Sequence, residues 1–153
     1  MAGEKPRSER MRSIESLSNR EALDLAGQME RQAQMLSDAE ARLEELTGYL
    51  ASYTEDRQTR SHNGGVSAMQ LTESHLFLQR LEEAVRLQAA TVEKLRSGVQ
   101  AARARWIAQH VRTTALGAAV HRFAEEEAKE LASGEQRRQD EIAARYHRPP
   151  EGD

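Results

Sequence analysis

Five histidines and the run Glu125-Glu126-Glu127 are the residues whose types could do chemistry in this chain. Only His121 has a carboxylate at helical spacing, Glu125. Such a pair is either half of a metal site or a contact on a helix surface. One pair supplies too few ligands, and the triple glutamate reads more simply as a solvated face than as an acid–base group. Cysteine is absent, which excludes disulfides, thiolate nucleophiles and cysteine-type zinc sites. No G-x-x-x-x-G-K-[ST] phosphate loop, G-x-S-x-G elbow or H-E-x-x-H metal helix occurs. The chain is therefore expected to hold no catalytic residue, no cofactor and no metal, and not to be an enzyme.

Charge offers a second route to function. The net charge is −3, but from Leu95 to Ala124 there are five arginines, at 96, 103, 105, 112 and 122, and no acidic residue. A basic stripe with stacking aromatics would suit nucleic acid. These arginines do not share one helical face, however, and Trp106 and Phe123 fall at apolar seam positions. Pairing with first-helix acids such as Glu15, Glu21, Asp24 and Glu30 is the simpler expectation, with no nucleic-acid partner.

Apolar residues outside the seam are more telling. Leu76 and Phe77 precede seam residue Leu78, and with Met69 and Leu87 they crowd one short segment, with the seam residue Leu81 one turn after Phe77. They either thicken the seam or form a docking surface of the kind that exposed apolar patches on monomers usually mark. Met69, Leu76, Phe77 and Leu81 are the candidate partner-binding residues.

What must position them is a turn. The stretch Thr59 to Leu71 is the one cluster of helix breakers in the first 145 residues. Asn63 and Gly64 can take the left-handed conformation that closes a helix. Ser67 with Gln70 makes a capping box, and Val66 with Leu71 the matching hydrophobic staple, so a new helix begins at once. Before the turn, Ala22, Met29, Leu36, Leu43 and Leu50 alternate with Leu25, Gln32, Ala39, Leu46 and Tyr53 in three-four spacing. After it, the spacing runs from Leu71 to Phe123 without a skip. Met11, Ile14 and Leu17 form an earlier stripe one residue out of phase.

Folding at Gly64-Gly65 sets a register that places Leu36 opposite Val92, Gln88 opposite Ala39 and Trp106 opposite Ala22. The expected fold is all-α, a long antiparallel two-helix coiled-coil hairpin with an overhanging C-terminal helix. Residues 1–10 form a flexible N-terminus and residues 11–147 the coiled-coil domain, with a helix over 11–60, a turn over 61–66 and a helix over 67–147. Residues 148–153 form a flexible tail. The seam is expected to end at Phe123, leaving the following segment without an intrachain partner, interrupted at Ser133-Gly134, and frayed unless held. With no apolar run near 18 residues, the chain reads as soluble and cytoplasmic, without direct membrane insertion.

Taken together, Tyr49-x-x-x-Tyr53, the Gly65-Val66-Ser67 turn, Phe77-Leu78-x-x-Leu81-x-x-Ala84-Val85-x-x-Gln88, Trp106 and Asp140-Glu141 resemble the FliJ family of flagellar export proteins, over roughly residues 10–148. The stretch Met11 to Leu17 departs most from that pattern. The resemblance implies a soluble component of the flagellar type III export apparatus, shaped like the central stalk of a rotary ATPase and monomeric in isolation. It implies contact with the export ATPase ring, the cytoplasmic region of the export gate membrane protein and export chaperones, at the cytoplasmic face of the inner membrane. The gate-contacting aromatic and leucine would be Phe77 and Leu81. A virulence-type secretion stalk and a homodimerising coiled-coil scaffold are the alternatives.

Overall fold

The computed structural model describes residues 3–147, 149, 150 and 152, so positions 1, 2, 148, 151 and 153 of the two expected flexible ends lie outside the described residues. Two helices, α1 (Arg7–His62) and α2 (Ala68–Tyr146), account for all regular structure among them. The helices pack antiparallel, and their contacts fall into two units. Asp24–Ile107 is a helical hairpin, and Met1–Leu23 with Ala108–Asp153 brings the start of α1 against the later part of α2. Among the described residues no helix is long and apolar enough to cross a membrane.

The hairpin unit closes as its turn residues dictate. Gly64 takes φ 58, the left-handed conformation, while Asn63 keeps a negative φ and its amide still donates to the Thr59 carbonyl at 3.2 Å. The glycine therefore carries the reversal alone. Ser67 and Gln70 then cap α2 reciprocally. The Gln70 amide donates to the Ser67 hydroxyl at 3.2 Å, and the Ser67 amide donates to the Gln70 side-chain oxygen at 3.1 Å.

Within this unit the seam follows the expected three-four spacing and register. Val92 is 3% exposed and Ala102 1%, with Ala39 also buried. The polar seam residues are accommodated rather than excluded. Gln88 donates across the interface to the Ala39 carbonyl at 3.0 Å, which is the predicted pairing. Gln32 lies where a Cβ on Gly98 would stand, its oxygen 3.0 Å away, so the bare glycine makes room for the amide. Both amides are half-buried: Gln88 keeps its hydrogen bond to the carbonyl, and Gln32 is seated over a glycine at little packing cost.

The other unit differs from expectation in three ways. First, α1 starts at Arg7, and its seam keeps three-four spacing back through Ser18, Glu15 and Met11 to Ser8. Ser8 and Ser18 are buried, whereas Ile14 and Leu17 are exposed. The apolar trio read as a stripe thus contributes only Met11. The polar positions win because α2 offers them partners. Ser18 shares a hydrogen bond with Thr113 at 2.7 Å and accepts from Gln109 at 2.9 Å, while Gln109 also donates to Glu21 at 3.2 Å. Glu15 reaches the bare backbone of Gly117, 3.1 Å from where a Cβ would stand.

Second, the seam continues past Phe123. The Pro6 carbonyl accepts the first helical bond of α1, from the Arg10 amide at 3.1 Å, which puts Ser8 in the first turn, where backbone N–H groups lack helical acceptors. Glu127 fills that role from α2: its carboxylate accepts from the Ser8 amide at 2.9 Å and the Ser8 hydroxyl at 2.5 Å. Proline brings no side-chain acceptor of its own, so the cap arrives from the other helix, at the positive end of the α1 dipole. Arg7 stacks on Phe123, its guanidinium carbon 4.3 Å from the ring centroid.

The Ser8 hydrogen bonds, with the Arg12 charge adding to them, hold the Glu127 carboxyl below its ordinary range. A depressed carboxylate contributes stability that is present above its unfolded pKa and lost as pH falls through the folded one. Acidification from the ordinary glutamate range downward is expected to release the Ser8 amide to hydrogen exchange before the Val92 layer opens. In Glu127→Ala, which removes the acceptor, the Ser8 amide should exchange readily at neutral pH and lose this acid dependence.

Third, Ser133-Gly134 does not interrupt α2, which runs on to Tyr146. One glycine costs about 1 kcal/mol against alanine in a helix interior, and the alanines, glutamates and arginines around it are strong helix formers.

Candidate functional site

The side chains that stand out lie beside the turn of the hairpin unit. Tyr53 on α1 and Phe77 on α2 meet with ring centroids 4.7 Å apart and planes tilted by 57°. The Tyr53 hydroxyl shares a hydrogen bond with the Ser74 hydroxyl at 3.0 Å, which fixes the ring from its polar end. A tilted aromatic pair tied down in this way is rigid at low entropic cost. Phe77 nevertheless remains 50% exposed, and Leu81, one turn further along α2, is half-buried. Tyr49, one turn from Tyr53, is also exposed.

A cavity of about 630 Å³ opens between the helix ends at this point. Tyr53, Phe77, Val66 and Leu71 form its apolar lining, with Arg57 and Arg60 beside them. Val66 and Leu71, expected from the sequence as a staple pair, both line this recess.

The four predicted site residues do not form one patch. Phe77 flanks the seam next to Tyr53, and Leu81, four residues on, is a half-buried seam residue. Met69 and Leu76 are seven apart and share a different side of α2, since Leu76 is rotated about 100° from Phe77 and further from the seam. Both are exposed, as is Leu87 on the same outer side. The structure thus separates an aromatic cluster from an outward apolar strip. Sequence reasoning did not place Tyr53 in the site, although the register already set it in the Ser74 layer beside Phe77.

The charged candidates resolve differently. His121 and Glu125 make an exposed contact at 3.2 Å along one helix. Among the described residues no group of three or more His, Cys, Asp or Glu is placed to hold a metal ion. Of the α2 arginines, Arg96 pairs with Glu40 at 3.3 Å and with Glu93. Among the described residues no ion pair to Glu15, Glu21, Asp24 or Glu30 forms at Arg103, Arg105, Arg112 or Arg122, contrary to the simple charge-pairing expectation. Glu15 and Glu21 are directed instead to Gly117 and Gln109.

No curated protein and no solved structure matches the chain. The family described as Flagellar FliJ protein matches residues 7–151, which takes in both helices and the turn between them. A match over that span, on an all-helical fold of two antiparallel helices that carries the tyrosine pair, the turn and the Phe-Leu block, makes this chain a member of the FliJ family, a component of the flagellar protein export apparatus.

Proposed function

We propose that the chain is a non-enzymatic coupling element that links the export ATPase ring to the cytoplasmic region of the export gate and escorts export chaperones, working at the cytoplasmic face of the inner membrane. The observation that carries this reading is the half-exposed Phe77, braced by Tyr53 with Leu81 one turn away. A rigid aromatic anchor beside a leucine is the form that energetic centres of interfaces take, because little side-chain freedom remains to be lost on binding. Phe77 and Leu81 serve as the gate contact in this reading, and Met69 and Leu76 offer a second strip to another partner.

Two measurements test it. The protein alone should hydrolyse no ATP, yet raise the turnover of the cognate export ATPase. Isothermal titration against the cytoplasmic region of the gate protein should give saturable binding. Unchanged turnover at saturating concentration, together with no heat in the titration, would remove the coupling role.

A further inference from the structure

Beyond Glu127, whose carboxylate caps α1 at Ser8, α2 continues to Tyr146 with every described residue exposed except Gly134. A helical segment held only at one end gains nothing from tertiary packing, which is where helices in proteins draw most of their stability. Its sequence nevertheless carries an ordered stripe: Leu131, Glu135, Arg138 and Ile142 follow four-three-four spacing, so they share one face, and Tyr146 extends it by a turn. Leu131 is 75% exposed, Ile142 54% and Tyr146 84%. Two apolar residues bracket two opposite charges.

We propose that this face pairs with the same face of a second copy of the chain, antiparallel and about a two-fold axis between Glu135 and Arg138. In that arrangement Leu131 meets Ile142 of the second copy, and Ile142 meets its Leu131. Glu135 meets Arg138 of the second copy, and Arg138 its Glu135. All four layers are complementary at once. A parallel pairing in register sets glutamate on glutamate and arginine on arginine, and is disfavoured. The stripe is an isologous surface, self-complementary under one rotation. From Leu131 to Ile142 it spans only about 17 Å, so the contact is small and the dimer weak and concentration-dependent. The inference involves neither the aromatic cluster at the turn nor any export partner, and it stands or falls separately from the coupling role.

Sedimentation equilibrium of the full chain from about 10 to about 500 µM tests it, a range suited to a small interface. The wild-type chain should pass from monomer to dimer, and added salt should shift the balance toward monomer. Glu135→Arg or Arg138→Glu alone places like charges in both central layers and should weaken self-association by about tenfold or more. An equimolar mixture of the two variants should recover a dimer, as should the double exchange Glu135→Arg/Arg138→Glu. All four residues lie on an exposed face of the single chain, so helix content by circular dichroism at about 10 µM, the monomeric end of the range, should be unchanged. A wild-type chain that stays monomeric throughout overturns the proposal. So does a dimer that both single variants retain, which assigns the contact to another face.

Discussion

Phe77→Ala is expected to weaken binding to the gate's cytoplasmic region by about 30-fold, or about 2 kcal/mol, the scale of a well-placed aromatic anchor. The same change should barely disturb the fold. Phe77 is half in solvent, and what it loses inside the chain is one tilted ring contact, worth about 0.5–1.5 kcal/mol beyond the half of the ring's area that is covered. Thermal unfolding and titration on the same variant separate the two effects. Phe77→Tyr keeps the ring and the contact with Tyr53 and should bind nearly as the wild type. Leu76→Ala, on the other side of α2, should leave this affinity unchanged. If Leu76→Ala costs as much as Phe77→Ala, the anchor is not the aromatic cluster but the whole apolar surface.

Val92→Asp is expected to be the most destabilising single substitution of those considered, by about 3 kcal/mol or more. At 3% exposure the carboxylate is withdrawn from water, and Arg96, one turn further along α2, is already paired with Glu40 and Glu93; a buried charge is among the few changes with effects of this size. Leu87→Asp is the matched control. Leu87 is a large apolar residue five positions earlier on the same helix, but it faces solvent, and the substitution should cost within about 0.5 kcal/mol. The midpoint of denaturant unfolding for the two variants reads the seam directly. Equal midpoints would mean that the three-four stripe is not what holds the hairpin unit together.

These expectations rest on features of unequal visibility in the chain. The aromatic cluster shows how a site can be half legible. Phe77 stood out as an apolar residue beside the seam and Leu81 as the seam residue one turn on, and the family resemblance pointed to the same two positions. Tyr53 looked like one more seam residue. That it braces Phe77 while its hydroxyl is anchored on Ser74 is a matter of ring orientation across two helices, which no spacing along one helix encodes. Met69 and Leu76 met the same compositional criterion as Phe77, yet helical geometry turns them to another side.

What the amino-acid order determined by itself is the part governed by local chemistry and by period. The glycine that reverses the chain, the Ser67–Gln70 cap and the Leu-Val seam of the hairpin unit all follow from backbone sterics and three-four spacing, and Gln88 meets Ala39 as the register requires. What only the tertiary structure decided is where polar side chains replace apolar ones at a seam. Ser8 and Ser18 are buried and Glu15 is half-buried while Ile14 and Leu17 stay exposed, because Glu127, Gly117, Thr113 and Gln109 stand opposite with a hydrogen bond or a missing Cβ to offer. Hydropathy ranks a residue by its own transfer from water. The worth of a serine or glutamate at an interface depends on the group across from it, and that group sits about a hundred residues away in the chain.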